Sequence, residues 1–271
     1  MTTDTGTDAS RGRVAATAAE VYEEAFVPAL FGQWAAPVLD AAGVGSGDRV
    51  LDVGCGTGVL TRAASSRVGP SGAAVGLDPN EAMLAVAARA PEPVRWERGR
   101  AEALPFPDGR FDRVVSQFVL MFVDDRGAAA AEIARVLRPG GTAAVATWCP
   151  AEESPGYDAV IELLDEVVGP EAADAMRAPF VLGRPRDLGE ILSPVLDEVE
   201  VRRVEGTARF DSVEAWVHTD IRGWTLADAL DDATYRRLLE RARPVLARHT
   251  DADGRVRFPA PALIATGVRP H

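Results

Sequence analysis

The sequence predicts an α/β fold built on a mainly parallel sheet. Three observations support this prediction. Short apolar segments alternate with helical patterns between residues 49 and 148, as in βαβ units. Glycine- or proline-rich turns bound these segments. The composition, 47% hydrophobic and 26% charged over 271 residues, suits one large domain.

The elements follow from these patterns. Residues 15–42 carry apolar side chains at helical spacings, interrupted by Pro28 and Pro37, which predicts two or three short helices. Strands are then predicted at residues 49–53, 73–77, 94–98, 113–116 and 142–148. Helices are predicted at residues 58–67, 80–90 and 128–137. The carboxyl ends of such parallel strands form the ligand crevice.

The alternation ends after Pro150. Helices are predicted at residues 157–168, 171–177, 186–191 and 233–248, and a strand at residues 198–209. Asp211 is expected to cap a further helix, with Glu214 completing a capping box. Residues 256–268 predict a last strand, whose prolines confine its start to an edge or bulged position.

Charge and residue usage exclude several classes. The net charge of −12 argues against a nucleic-acid partner. The absence of lysine excludes a Schiff-base lysine and a Walker-type loop. Two cysteines and the scattered His218, His249 and His271 offer neither a disulfide framework nor a metal site. MTTDTGTDAS at the start lacks the features of a signal peptide, and no segment is apolar enough for a membrane span, so a cytoplasmic protein is expected.

The stretch VLDVGCGTGVL, residues 50–60, runs from a strand into a glycine turn. It matches the dinucleotide pattern G-x-G-x-x-G only in part, because Val59 stands where the third glycine would fall. Asp52 before the turn would repel a pyrophosphate and suits a ligand with an ammonium group. S-adenosylmethionine, which carries an ammonium and a sulfonium but no phosphate, fits this turn better.

Asp78 ends the second predicted strand, 20 residues after Gly58. A carboxylate at that point can accept hydrogen bonds from both ribose hydroxyls, as in dinucleotide folds. The alternative is an aspartate that caps the helix starting near Asn80.

Four blocks together are more specific than the glycine turn: VLDVGCGTG, GLDPNEAML, GRAEALPFPDGRFDRVVSQFVLMFV and EIARVLRPGGTAAVATW. In their order and spacing the chain resembles the class I S-adenosylmethionine-dependent methyltransferases, in particular the small-molecule branch with ubiquinone/menaquinone-type and natural-product enzymes. The resemblance implies a Rossmann-like, doubly wound sheet with an antiparallel last strand, N-terminal helices and a helical lid insertion. It also implies S-adenosylmethionine as cofactor, S-adenosylhomocysteine as product and a small-molecule acceptor.

The resemblance implies a domain organisation as well. We expect residues 1–14 to be a disordered tail and residues 15–271 a single domain. Its parts are an N-terminal helical cover (15–48), a cofactor-binding core (49–148), substrate-lid insertions (150–195 and 211–250) and the last strand (256–268). Neither the oligomeric state nor the identity of the acceptor follows from the sequence.

The resemblance assigns roles to individual residues. Asp52 would lie close to the ammonium or order the loop, Asp78 would bind the ribose hydroxyls, and Ala101 would offer its N–H to the adenine. Arg100 departs from the pattern, because the family usually has an aspartate there that accepts from the adenine amino group; Glu102 could supply that acceptor, or the amino group could face water or a backbone carbonyl. The remaining cofactor contacts implied are Tyr22, Trp34, Gly54, Gly56, Gly58, Pro79, Met83, Gln117 and Phe118.

Methyl transfer needs a general base only if the acceptor must lose a proton. His218 in the lid is the first candidate, although a structural hydrogen bond is the alternative, and Tyr22 is the second, although it could simply close over the cofactor. Phe118, Met121, Phe122, Trp148, Phe180, Trp216 and Trp224 could together line an apolar acceptor pocket, and the alternative is that they are simple core.

Two functions remain open on the sequence. The first is methylation of oxygen, carbon or nitrogen of a lipophilic or aromatic metabolite, in secondary metabolism. The second is a methyltransferase-like cyclase or isomerase that binds S-adenosylmethionine without transferring its methyl group.

Overall fold

The computed structural model describes residues 16–222, 226 and 230–271. Its strands form one seven-stranded sheet and one two-stranded sheet within that part of the chain. The strands are β1 (Arg49–Val53), β2 (Ala73–Asp78), β3 (Arg95–Arg98), β4 (Phe111–Gln117), β5 (Leu137–Trp148), β6 (Asp197–Val204), β7 (Thr207–Phe210), β8 (Val256–Pro259) and β9 (Ala262–Val268).

The large sheet has the strand order β3-β2-β1-β4-β5-β9-β6. Strands β1 to β5 pair in parallel, whereas β9 is antiparallel to both β5 and β6. The predicted doubly wound, mainly parallel sheet with an antiparallel last strand is therefore confirmed. The order reverses between β1 and β4, and ligands of such sheets bind at this reversal.

The α-helices cover the large sheet and build the region after it. They are α1 (Ala16–Val21), α2 (Ala35–Ala41), α3 (Val59–Val68), α4 (Glu81–Ala87), α5 (Arg126–Val136), α6 (Pro155–Val167), α7 (Pro170–Arg177), α8 (Pro185–Leu192), α9 (Val213–Arg222) and α10 (Asp232–Leu246). The predicted helices after residue 58 all form, with ends shifted by a few residues.

The N-terminal helices differ from the prediction of short separate helices. Between α1 and α2 the chain continues through a π-helix, Tyr22–Phe31, and a 3₁₀ turn, Gly32–Trp34. Pro28 lies inside the π-helix. The rings of Tyr22, Phe26 and Phe31 lie 5.0 to 5.9 Å apart. A π-helix often marks a functional position, and this one brings an aromatic cluster to the carboxyl ends of the strands.

Two predicted strands each divide in two. Residues 198–209 form β6 and β7, and residues 256–268 form β8 and β9; β7 pairs with β8 in the small antiparallel sheet. Both strands divide where these two segments of the chain meet. At that point the Gly206 carbonyl accepts a hydrogen bond from the Ala260 N–H at 2.9 Å. A Cβ on Gly206 would lie 2.2 Å from the Trp34 ring. The backbone here therefore passes too close to Trp34 to carry a side chain, and the strand is interrupted.

Two local predictions are also wrong. Strand β5 begins at Leu137, five residues before the predicted start, because Leu137 pairs with Phe111 of β4 and because Gly140 and Gly141 exchange backbone hydrogen bonds with Arg269. The α9 cap is Ser212 rather than Asp211, since the Ser212 hydroxyl accepts from the Ala215 N–H at 3.0 Å.

The burial of the strands fits their positions in the large sheet. Strand β1 and the second half of β5 are buried along their length, as expected for parallel strands covered on both faces. The outer strand β6 alternates exposed charges with half-buried valines, which protects an edge from further pairing. Both cysteines are free and buried. Within the described residues, no helix is long and apolar enough to cross a membrane.

Candidate cofactor and acceptor site

A large cavity opens at the carboxyl ends of β1, β2 and β4. Its volume is about 1130 Å³, which exceeds that of most single-ligand pockets. Segments from every part of the predicted core contribute to its wall. The lining includes the predicted residues Tyr22, Gly54, Gly56, Asp78, Pro79, Met83, Arg100, Ala101, Glu102, Gln117 and Phe118.

The three glycines of the turn after β1 have different surroundings. All three have positive φ, which favours glycine. A Cβ on Gly54 would lie 2.4 Å from Val119, whereas one on Gly56 would lie 3.9 Å from Tyr22. A Cβ on Gly58 would lie 2.3 Å from Trp96. Gly58 is therefore required for packing on β3 and does not line the cavity, contrary to the predicted ligand contact.

Asp78 joins the turn to the end of β2. Its two carboxylate oxygens accept hydrogen bonds from the backbone N–H groups of Gly56, at 2.9 Å, and Asn80, at 2.8 Å. Burial raises its pKa, and these two bonds oppose the shift. A carboxylate has about four acceptor positions, so both oxygens can still accept hydroxyl groups. Asn80 itself caps α4, so the helix does not depend on Asp78 as its N-cap.

Asp52 lies beneath the turn and does not line the cavity. Its Oδ2 accepts from the Thr61 hydroxyl at 2.6 Å, while its Oδ1 is buried without a partner. Burial raises the pKa of Asp52 to about 7, and the charge of Asp78 adds to this shift. An unpaired buried carboxylate is costly unless a cation approaches, so its placement suits an ammonium held by the turn.

The loop after β3 carries the departure from the family pattern. The Arg100 guanidinium is largely exposed and pairs with Glu102 at 3.0 Å and with Asp124 at 3.4 Å. Ala101 lies buried between them. The Arg100–Glu102 pair thus stands at the cavity where the family usually has one aspartate, and the second Glu102 oxygen has no hydrogen bond within the described part of the chain.

Gln117 and Phe118 form the wall after β4. The Gln117 amide donates to the Phe31 carbonyl at 3.2 Å, and its Oε1 is buried without a partner. Phe118 has a φ of 59°, which is uncommon for a residue other than glycine and concentrates at functional sites. Its ring stacks on Trp148 at a centroid distance of 3.7 Å.

Tyr22 covers the turn from the N-terminal side. Burial first, and the charge of Asp78 second, raise its pKa well above the usual range of a tyrosine. Its hydroxyl is therefore protonated at neutral pH, which disfavours the predicted role as a base. Trp34, another predicted cofactor contact, is outside the cavity and packs edge-on against Phe118 and Trp148 in the core.

The prediction of His218 as a base disagrees with the structure. His218 is exposed on α9 and does not line the cavity. Asp220, two residues on, is 2% exposed and does line it. The signal was available, because Val213, Trp216 and Asp220 share the apolar face at helical spacing, whereas His218 falls on the other face.

Apolar side chains line the cavity near Asp220. Phe118, Phe122, Trp148 and Phe180 of the predicted acceptor pocket are among the lining residues. Met121 and Trp216 are buried in the core instead, and Trp224 lies outside the described residues. Sequence reasoning missed Phe26, Leu30, Phe31, Val119, Tyr157, Met176 and Pro179, which complete this wall.

These features fit S-adenosylmethionine. Gly56 and the remaining acceptor positions of Asp78 line the cavity and suit its amino acid and ribose groups, and the unpaired Asp52 oxygen beneath the turn suits a positive charge held by that turn. Among the described residues, no group of His, Cys, Asp and Glu could hold a metal ion.

Comparisons with known proteins agree with the resemblance to methyltransferases. Residues 51–145 match a family model described as a methyltransferase domain. A ubiquinone/menaquinone biosynthesis C-methyltransferase of Hahella chejuensis is 43% identical over 114 residues, covering 40% of this chain and 46% of that protein. A 2-phytyl-1,4-naphtoquinone methyltransferase of Synechocystis sp. is 37% identical over 148 residues, covering 51% of this chain and 62% of that protein. The chain thus spans about half the length of these curated relatives.

A solved structure extends the likeness beyond the core. A phosphoethanolamine N-methyltransferase of Haemonchus contortus, in complex with S-adenosyl-L-methionine, aligns with a TM-score of 0.60 and 19% identity. The alignment covers 95% of this chain and 58% of that one. At this identity the likeness shows a shared fold.

Proposed function

We propose that this chain, whose residues 51–145 match a methyltransferase domain, is an S-adenosylmethionine-dependent methyltransferase that methylates a small hydrophobic acceptor. The acceptor is aromatic or quinone-like, and the methyl group goes to one of its oxygen, carbon or nitrogen atoms. The names of the two curated relatives, both quinone methyltransferases, support this acceptor class.

One observation carries the proposal. A single cavity joins a polar part, made by Gly56, Asp78 and the loop at Ala101, to an apolar part with Phe180 and the Phe118–Trp148 stack. A site that transfers a group between two ligands needs both parts in one space, because catalysis then follows from holding the reactants together.

The chain's own residues bind and position the reactants. Bound S-adenosylmethionine supplies a methyl group on a sulfonium, which needs no further activation. Asp78 and the turn hold the donor, and the buried Asp52 beneath the turn favours its positive ammonium group. The Phe118–Trp148 stack and the aromatic cluster of the π-helix exclude water from the space between the ligands.

The first test measures cofactor binding. Asp78→Ala removes a carboxylate that accepts two backbone hydrogen bonds, so we expect S-adenosylhomocysteine to bind at least about tenfold more weakly by calorimetry. Asp78→Asn keeps the size of the side chain and serves if the alanine variant unfolds. Asp253→Ala, on the exposed surface, is the matched control. Equal affinity in all four proteins would overturn the assignment of the site.

The second test measures transfer. The protein is incubated with methyl-labelled S-adenosylmethionine and a panel of phenols, hydroquinones and aromatic amines. We expect S-adenosylhomocysteine to form together with a labelled product. Conversion of a panel member with no S-adenosylhomocysteine formed contradicts methyl transfer.

A further inference from the structure

A buried acid stands at the apolar part of the cavity. Asp220 on α9 is 2% exposed, and it lines the cavity together with Tyr157, Met176, Pro179 and Phe180. Its Oδ2 accepts from the Trp216 indole N–H at 2.6 Å. Its Oδ1 accepts no hydrogen bond from the described residues. Burying a carboxyl group among apolar walls is costly when one oxygen lacks a partner among the described residues, so its position points to a function.

The helix that carries Asp220 holds it in place. Trp216, one turn earlier on α9, is fully buried and packs against Phe258 at a centroid distance of 4.6 Å and against Phe210 at 5.6 Å. The indole therefore has a fixed position, and its bond fixes the carboxylate. A fixed acceptor in a water-poor site is the arrangement that general-base catalysis needs.

Resting on the proposed function, we propose that Asp220 is the base of the reaction and that the acceptor is an aromatic molecule whose hydroxyl group donates to Asp220 Oδ1. The hydroxyl is phenolic or enolic. Asp220 thereby selects the acceptor and also receives its proton.

The surroundings favour a neutral hydroxyl over a cationic amine. An ammonium group would form an ion pair inside an apolar wall, and both charges would then lose their hydration with few donors or acceptors to replace it. A hydroxyl brings one donor, which matches the one unsatisfied oxygen of Asp220, and no second charge. Tyr157, whose ring lies 5.6 Å from that of Phe180, adds an aromatic surface for a planar ring.

The reaction balances without a further reactant. The O–H bond of the acceptor breaks, and its proton passes to Oδ1 of Asp220. The electron pair left on the oxygen, or on the ring carbon conjugated with it, forms the bond to the donated methyl group. The bond between that methyl group and sulfur breaks, and its electron pair stays on sulfur as a neutral thioether. The proton on Asp220 then returns to water when the products leave.

Protonation of Asp220 is consistent with this role. Burial raises its pKa to about 8, and the Trp216 bond opposes the rise. Among the described residues, the titratable side chain that faces it is Tyr157, whose own pKa is raised by burial and by the charge of Asp220. The centroid of the His249 ring lies 6.3 Å from that of the Trp216 ring. The Arg222 guanidinium donates a hydrogen bond to the Asp232 carboxylate. Such a carboxylate accepts a proton more readily than an ordinary aspartate once it is ionised.

The binding experiment uses three naphthalene probes at pH 8 with S-adenosylhomocysteine present. They are 2-naphthol, its methyl ether 2-methoxynaphthalene, and 2-naphthylmethylamine. We expect the wild-type protein to bind 2-naphthol about tenfold or more tightly than either of the others. In Asp220→Asn the indole still holds the side-chain oxygen, which leaves an amide N–H₂ toward the cavity, so the preference for the naphthol should be lost.

The kinetic experiment follows S-adenosylhomocysteine formation with 2-naphthol from pH 6 to 9. The wild-type rate should rise with pH as Asp220 ionises. Asp220→Asn should lose this rise and at least about 100-fold in kcat, with cofactor affinity within about threefold of wild type. Trp216→Phe removes a bond that lowers the pKa of Asp220, so the rise should move to higher pH. His218→Asn, on the exposed face of the same helix, should behave as wild type.

The outcomes separate the two proposals. Failure of the wild-type protein to bind S-adenosylhomocysteine refutes the proposed function. Normal binding of S-adenosylhomocysteine without a preference for the naphthol, or with a preference for the amine, refutes the role of Asp220 alone. An Asp220→Asn variant that keeps the pH rise refutes it as well, whatever the probes show.

Discussion

Asp52 allows a quantitative prediction, because its buried charge should make the ligand-free protein less stable. The change is Asp52→Asn, which keeps the shape and the Thr61 partner but removes the charge. Burial raises the pKa of Asp52 from 3.8 to about 7. A raised carboxyl pKa means that the folded state binds its proton more tightly, so the contribution to stability is complete below about pH 4 and is lost as the pH rises through 7.

The magnitude follows from the shift. One pKa unit corresponds to about 1.4 kcal/mol, so between pH 5.5 and pH 7.5 the wild-type protein should lose about 2 kcal/mol relative to Asp52→Asn. The other buried carboxylates are present in both proteins, so their effects cancel in the difference. S-adenosylmethionine should bind more weakly to Asp52→Asn, because the variant lacks the buried negative charge beneath the turn that favours the ammonium group of the ligand.

Urea unfolding followed by circular dichroism at pH 5.5 and pH 7.5 measures the difference. Asp253→Asn, at an exposed position, controls for the loss of one negative charge. A wild-type to Asp52→Asn difference that changes by less than about 0.5 kcal/mol between the two pH values would show that the folded protein does not hold a strongly shifted carboxyl group at this position.

Three further changes test the site. Gly54→Ala should destabilise the protein by about 1 to 3 kcal/mol in urea unfolding, because the new methyl group meets Val119 and the backbone φ is 74°. Adding Val119→Ala should recover part of the lost stability. No recovery would contradict the contact between residue 54 and Val119. Arg100→Ala should change the free energy of unfolding by less than about 1 kcal/mol, since its ion pairs are exposed; a larger loss would show that the pair is structural. Tyr22→Phe should lower kcat less than about tenfold with an active acceptor, because its hydroxyl is already protonated, whereas a loss above about 100-fold would restore it as a base.

The cofactor part of the site could be predicted from the sequence because its residues are close along the chain and tied to strand ends. The turn after β1 and Asp78 at the end of β2 follow from strand and glycine patterns alone. The different surroundings of the three glycines could not be predicted. They depend on Val119, in the loop after β4, and on Trp96, in β3, and both are distant from the glycines in sequence.

The lid was harder to predict because its contacts are distant in sequence. The division of residues 198–209 depends on where Gly206 crosses Trp34 and Ala260, and no local pattern encodes that crossing. The choice between His218 and Asp220 could have been made from the sequence. Counting helical positions from Trp216 places the aspartate on the buried face of the helix. His218 was preferred because histidine is the commoner catalytic base, although its position on the helix argues against it.

The bond from the Trp216 indole to Asp220 also has an optical consequence. The absorption and emission of an indole respond to the charge of a group hydrogen-bonded to its N–H, so the light emitted by Trp216 should change when Asp220 gains or loses a proton. Trp148 reports a different event, since it lies at the cavity wall beside Phe118 and senses an occupant directly. The protein thus carries two unlabelled probes, one for protonation and one for occupancy. Replacing each tryptophan in turn by phenylalanine would separate their signals.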